Sequence, residues 1–360
     1  MFTFDKLKAL HLEITSRCQA SCPMCVRNVY GGLKNSNFVL SDWSLEDFKI
    51  ILNTEVINQI KHIMFCGHYG DPVINKDLPY MLEYIKESNP NISVQVFTNG
   101  SIFKEQWWKN LINYMPTNHQ VLFGIDGLED THKIYRIGTD WNKIISNAKA
   151  FIDVGGNTSW EFIRFKHNQH QVDECRELSK QLGFESFSVK DTSRYVDNEP
   201  YKVVDKNGNN LYYLEPPTDT TADCITKEII ENYHDYLEEA TIKCIATEWQ
   251  FIYIDAVKKV YPCGFLGQTS FTSPVYNDML DPFRKISCKE NQDFFNTFKT
   301  LDATKSSIKE IMNSEEWNQF FKEYIFENNK KLITCVRNCG RFSKSLHHFD
   351  DETIERTKNA

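Results

Sequence analysis

The chain has 360 residues, of which 41% are apolar and 25% charged; such a length suits one large domain with a smaller one, and the composition excludes a chain disordered throughout. A net charge of −8 argues against a phosphate-tracking surface, so nucleic acid, tRNA included, is disfavoured as a partner. No apolar run approaches the roughly 20 residues that cross a bilayer.

The N-terminus, MFTFDKLKALHLEI, runs straight into a strand without a cleavable signal pattern, which predicts a cytoplasmic protein with no membrane partner. In a reducing compartment the eleven cysteines, where clustered, read as metal ligands rather than disulfides.

Ala9 to Ile14 is apolar and predicts the first strand. Cys18, Cys22 and Cys25 follow it with the spacing C-x3-C-x2-C. Three thiolates in one short loop can reach a single iron–sulfur cluster, and since no fourth ligand follows at once, one iron is left open. The other reading is a zinc knuckle, which wants a fourth Cys or His; His11 lies in the strand and His62 far off.

Ser44 with Asp47 is close to a capping box and predicts a helix start. Then come a strand at 62–66, a helix at 78–87, a strand at 92–100, a helix at 105–115 and a strand at 119–127. A helix at 142–154, a strand at 159–166, a helix at 172–181 and a strand at 186–190 complete the alternation. Six strands alternating with helices point to parallel βα units, whose working residues lie at the strand C-terminal ends. Three motifs fall there: Gly67-His68-Tyr69-Gly70-Asp71-Pro72, Thr98-Asn99-Gly100 and Gly124-Ile125-Asp126-Gly127. Each also reads as a plain turn, Asp126 could simply cap one, and Arg136 in HKIYRIG could be a solvated surface charge. Asn168 could face the cleft, whereas His167 and His170 read as surface residues. Cys66, Cys175, Cys224 and Cys288 lack spaced partners and read as small buried hydrophobes, with Cys66 nearest the expected site.

From 191 to 243 the pattern degrades around Pro216-Pro217, which predicts a bridge and partial lid. A hairpin follows, with its turn near Ala256 to Lys259 and its second strand ending at Cys263. A helix is expected from about Ser307 to Asn328. Cys244, Cys263, Cys335 and Cys339 make a second set of four, suited to a cluster or to zinc. The predicted division is therefore a core at 1–190, a bridge at 191–243, a cysteine-bearing domain at 244–345 and a polar tail at 346–360.

The first cysteine loop, with the βα pattern after it, resembles the radical S-adenosylmethionine (radical SAM) superfamily over roughly residues 9–190. The resemblance implies an α/β fold: a partial, open (β/α)6 TIM-like barrel, with a small α+β domain behind it. It implies that Cys18, Cys22 and Cys25 hold a [4Fe-4S] cluster whose open iron is chelated by S-adenosylmethionine. Reductive cleavage of that cofactor would give a 5'-deoxyadenosyl radical that abstracts a substrate hydrogen. Tyr69-Gly70-Asp71-Pro72 stand for the family's Gly-Gly-Glu-Pro, which receives the cofactor's amino group, with Tyr for Gly and Asp for Glu. Asn99 belongs to a TNG segment found near the cofactor. Asp126 matches Ser-x-Asp-Gly with Gly124 in place of the serine. Arg136 lies where relatives often carry an arginine, and Met24 takes the place of an adenine-packing aromatic.

The second set resembles the Twitch domain, the shorter relative of SPASM, and implies an auxiliary [4Fe-4S] cluster that relays an electron or anchors substrate. The expected protein is an oxidoreductase or a modifying enzyme acting on a peptide or small molecule, served by an electron donor such as flavodoxin or ferredoxin. With no leader-peptide-binding segment ahead of the barrel, the peptide reading is weakened. The alternative is a non-catalytic iron–sulfur electron carrier or a zinc-stabilised binding module, neither of which has use for cofactor loops after strands two to four.

Overall fold

The computed structural model describes residues 1–36, 38–195, 197–220, 231–269, 298, 301–327 and 330–340. Cys224, Cys288 and the polar tail at 346–360 lie outside the described residues. Strand β1 (Ala9–Leu12) precedes the cysteine loop, and the short β2 (Asn28–Val29) and β3 (Leu33–Lys34) pair just after it. The main strands follow as β4 (His62–Phe65), β5 (Ser93–Thr98), β6 (His119–Gly124), β7 (Thr158–Arg164) and β8 (Ser186–Asp191). β1 and β4 to β8 pair in parallel in chain order. These are the parallel βα units that the alternation predicts, in the open α/β partial barrel that the resemblance implies, so the C-terminal ends of β1, β4, β5 and β6 lie together on one side of the sheet.

The two sheet faces differ. Leu10, Leu12, Ile63, Phe65, Val94, Val96, Val121, Phe123, Trp160 and Phe162 are all buried on the helix side, where Phe48 stacks on Phe65 and Trp108 meets Phe123. The alternate residues, pointing to the other face, include His11, Gln95, Gln120, Ser159, Glu161, Ser188 and Lys190. Gln95 Nε2 donates to Gln120 Oε1 at 3.2 Å, Ser159 Oγ to Glu161 Oε1 at 3.0 Å and Lys190 Nζ to Glu161 Oε2 at 3.0 Å. The same face carries Met64, Phe97, Leu122 and Ile163, so polar and apolar side chains are mixed on it, where a closed barrel interior is ordinarily filled by branched apolar ones.

The helices start where local chemistry sets them. α1 (Leu45–Ile51) has a full capping box between Ser44 and Asp47, worth about 1 kcal/mol. α2 (Thr54–Gln59), not anticipated, is capped by Asn53, whose Oδ1 accepts from the Glu55 and Val56 amides. α3 (Leu78–Ser88), α4 (Glu105–Leu111), α5 (Glu129–Tyr135), α6 (Trp141–Ile152) and α7 (Val172–Leu182) follow, of which only α5 was not expected.

Three later segments depart from expectation. Within the predicted bridge, β9 (Tyr201–Val204) and β10 (Asn210–Leu214) form a hairpin. Its turn carries Asn207-Gly208, with Gly208 at φ +85 and Asp205 Oδ1 accepting from the Asn207 and Asn209 amides; that dipeptide is a hairpin signal in its own right. The predicted hairpin exists as β11 (Phe251–Ile254) and β12 (Val260–Tyr261), its second strand ending at Tyr261 rather than Cys263, and β11 pairs in parallel with β1, extending the main sheet to eight strands. β1 would otherwise be an open edge with unpaired backbone groups. The helix expected over 307–328 is broken: Ser314 is extended and caps a second helix at Glu315–Phe320, which runs into a π-helical turn at Phe321–Phe326. Among the described residues no helix is long and apolar enough to cross a membrane.

His132, fully buried, accepts the Asp126 amide at Nδ1 and lies 3.0 Å from Thr139 Oγ1 at Nε2. Burial pulls its pKa from 6.5 down to about 4, with Asp126 opposing. The unfolded chain therefore takes up a proton first as pH falls below 6.5, and this contribution to stability, full above that pH, is lost toward pH 4. The drop in urea midpoint between pH 7 and pH 5 is expected to be smaller in His132→Gln than in the wild type; equal drops would place the acid sensitivity elsewhere.

Candidate active site

The cysteine loop leaves β1 and is held by its neighbours. Arg27 donates from Nη2 to the Cys18 carbonyl at 2.6 Å and from Nη1 to the Ala20 carbonyl at 3.0 Å, and the Ser21 amide donates to the Ile137 carbonyl at 2.8 Å. Cys18, Cys22 and Cys25 are half-buried. Asn99 Nδ2 lies 3.5 Å from Cys18 Sγ, and the positive charge of Arg136 acts on Cys22. Burial pushes the Cys22 thiol up to about 11 against the pull of Arg136, and burial together with Asp71 and Cys22 raises Cys18. Such thiols become thiolates when metal binding supplies the compensating charge.

The loop thus offers three sulfurs with polar donors beside two of them, the outer-shell arrangement that supports metal–thiolate bonds. In a cluster each of the three cysteines would bind its own iron.

Asp71, at the turn after β4, is buried and saturated. It accepts from the Val73 amide at 3.1 Å, from Thr98 Oγ1 at 3.0 Å, from the Asn99 amide at 2.8 Å and from Asn99 Nδ2. Its carboxylate therefore clamps the 67–72 loop to Thr98-Asn99-Gly100, and Asn99 passes the clamp on to Cys18. Gly70 is dictated by contact, since a Cβ there would fall 1.8 Å from the Thr15 carbonyl oxygen. Tyr69 is buried edge-on to Phe38, its hydroxyl accepting from the Ala256 amide at 3.3 Å, and Pro72 opens the 3-10 turn that Asp71 caps.

Asp126 is fully buried. Its Oδ2 takes Arg136 Nε at 2.5 Å and its Oδ1 the Ile163 amide at 2.7 Å. Arg136, its side chain 18% exposed, is no solvated surface charge: its guanidinium lies over Gly124, where a Cβ would come within 2.7 Å of Nη2. That packing explains why glycine stands at 124. Asn168 is buried and structural, taking the Phe165 amide at 2.7 Å and donating to the Ile163 carbonyl at 3.0 Å.

Met24 packs with Tyr135, Phe165, Tyr195, Val203 and Leu214 beneath the β9–β10 hairpin. That hairpin sits on the cysteine loop: Tyr201 Oη donates to the Pro23 carbonyl at 3.2 Å and the Val204 amide to the Tyr30 carbonyl at 3.0 Å. Met24 could meet an adenine only by exchanging this packing.

The second set lies on the later elements. Cys244 stands at the N-cap of α9 (Ile245–Glu248), which follows α8 (Tyr233–Glu239), and Cys263 immediately precedes α10 (Gly264–Thr269). Cys335 and Cys339 lie one turn apart on the helix Ile333–Cys339. All four line one cavity, together with Phe265 and Leu266 of α10. Burial raises all four thiols, Cys339 to about 12, and Cys335 is raised further by the other three. Cys66 and Cys175 are buried, as lone cysteines usually are.

Sequence reasoning missed Glu13, Arg27 and the Glu161–Lys190 pair. Glu13 could have been noticed as a charge inside an apolar run, and the pair as polar alternation along β7 and β8; Arg27 had no sequence signal.

The sequence model described as the Radical SAM superfamily matches residues 12–188. The tungsten-containing aldehyde ferredoxin oxidoreductase cofactor-modifying protein of Pyrococcus furiosus is 25% identical over 191 residues, 51% of this chain and 51% of its own length. The chain spans about half the length, or less, of the curated relatives it matches. Among solved structures, Streptococcus suis SuiB bound to precursor peptide SuiA is similar with a TM-score of 0.54 at 13% identity, covering 88% of this chain and 67% of that one. Native anSMEcpe with bound AdoMet gives 0.52 at 15%, covering 98% of this chain and 96% of that one. At these identities the structural likeness concerns the fold.

Proposed function

Since residues 12–188 of this chain are a radical SAM domain, we propose an enzyme that reductively cleaves S-adenosylmethionine and removes a hydrogen from a polar substrate, a peptide being the preferred class. The observation that carries this reading is the half-buried thiol triad in the loop that leaves β1, with Asn99 Nδ2 beside Cys18.

Cys18, Cys22 and Cys25 would hold a [4Fe-4S] cluster. Bound there with S-adenosylmethionine, it supplies the one-electron cleavage that yields the 5'-deoxyadenosyl radical. The chain's own residues orient and enclose. The 67–72 loop, fixed by Asp71, receives the cofactor's amino group; Asn99, Asp126 and Arg136 order the wall around Cys18 and Cys22; Met24 and the β9–β10 hairpin keep water from the loop. The polar side chains on the inner face, Gln95, Gln120, Glu161 and Lys190, suit a substrate carrying hydrogen-bonding groups. A peptide is favoured because SuiB, similar in fold, was solved with a precursor peptide. The four cysteines around one cavity would hold an auxiliary [4Fe-4S] cluster that relays an electron or anchors substrate, and the reducing electron would come from a flavodoxin or ferredoxin.

Anaerobic reconstitution followed by iron and sulfide analysis tests this. About eight irons per chain are expected from two four-iron clusters, together with 5'-deoxyadenosine formed from S-adenosylmethionine under dithionite. About four irons with bound zinc would make the second set structural; no iron and no 5'-deoxyadenosine would overturn the reading.

A further inference from the structure

Glu13, at the exit of β1, is fully buried. Its Oε1 accepts from the amides of Tyr69 (3.3 Å) and Gly70 (2.7 Å), and its Oε2 from the amide of His68 (3.2 Å) and the hydroxyl of Tyr253 (3.4 Å). Four donors meeting two oxygens is the pattern of an ionised carboxylate. Burial pushes this group up and the three loop amides oppose it. Keeping a carboxylate inside a core is costly, and an apolar residue would fill the place at no such cost.

The groups it holds are informative. Three consecutive amides, 68 to 70, are turned to one carboxylate, so the loop is equipped to recognise a cation through carbonyl oxygens rather than an anion through its N–H groups. The C-terminal hairpin grips the same loop. Tyr253 of β11 touches Glu13, the Ala256 amide donates to the Tyr69 hydroxyl, and Gly264 leaves room for His68, whose Cε1 would lie 2.6 Å from a Cβ there.

We infer that Glu13 is a positioning residue for S-adenosylmethionine, holding residues 68–70 in the conformation that receives the cofactor's ammonium group, with Tyr253 of the C-terminal hairpin steadying Glu13. The inference rests on the assignment of the 67–72 loop proposed above. It also makes the C-terminal hairpin part of the first site.

The test is equilibrium binding of S-adenosylmethionine to the anaerobically reconstituted full chain, with circular dichroism, iron content and the cofactor-induced change in the reduced cluster's EPR spectrum. Glu13→Gln presents an NH2 group to amide donors. It should keep the fold and the iron of the triad while weakening binding about tenfold or more, with the EPR change appearing only at correspondingly higher cofactor concentration. A folded, iron-loaded Glu13→Gln protein with wild-type affinity overturns the inference. Should that variant fail to fold, Tyr253→Phe removes one hydroxyl and should weaken binding about two- to threefold, and unchanged affinity there is equally fatal. Gly70→Ala separates the two claims, because its Cβ strikes the Thr15 carbonyl. If it binds the cofactor normally, the loop assignment is wrong; if it loses binding while the folded Glu13→Gln does not, the error lies with Glu13 alone.

Discussion

Alanine at any one of Cys18, Cys22 or Cys25 is expected to reduce dithionite-driven formation of 5'-deoxyadenosine to the level seen without protein. The three half-buried thiols leave one loop, and a four-iron cluster with an open iron needs all three to hold the other irons. The loop has supports independent of the sulfurs: the Asp71 amide donates to the Arg17 carbonyl at 2.8 Å, and Arg27 donates to the Cys18 and Ala20 carbonyls. Each variant should therefore fold, so that circular dichroism matches the wild type while triad iron is lost. Undiminished cleavage by any of the three would remove that cysteine from the ligand set.

The second large effect is expected at Cys263. Its replacement by alanine should roughly halve the iron, from about eight to about four per chain, and stop substrate turnover, yet leave formation of 5'-deoxyadenosine largely intact. Cys263 is 8% exposed and lines the cavity that it shares with Cys244, Cys335 and Cys339, so its loss should empty that site alone. A packing defect could spread, because Cys263 follows β12 and the neighbouring β11 pairs with β1. An unchanged thermal transition and retained cofactor cleavage would exclude it. Full iron content, or turnover at the wild-type rate, would show that this cysteine holds no cluster used in the reaction.

How these parts meet was only partly legible in the chain. The thiol triad, the Asp71 and Asn99 turns and the four later cysteines stand out because of residue type and spacing. The ion pair of Asp126 with Arg136 was half visible: both residues were candidates, but only the packing of the guanidinium over Gly124 ties one to the other. The β9–β10 hairpin was missed although Asn207-Gly208 announces it, since the Pro-rich, polar surroundings argued for irregular chain.

Read alone, the amino-acid sequence specifies what is local. The six parallel strands follow from apolar runs and their spacing, the start of α1 from the Ser44 capping box, and the candidate metal ligands from their intervals. It took the folded chain to bring β11 against the edge of β1, to gather the amides of His68, Tyr69 and Gly70 on Glu13, and to carry Tyr253, 240 residues away in sequence, to the same carboxylate. Periodicity, caps and ligand spacing act through hydrogen bonds and packing within a turn or two of chain, whereas the partner of an open strand edge or a buried charge is set by which distant surfaces the folded core brings into contact.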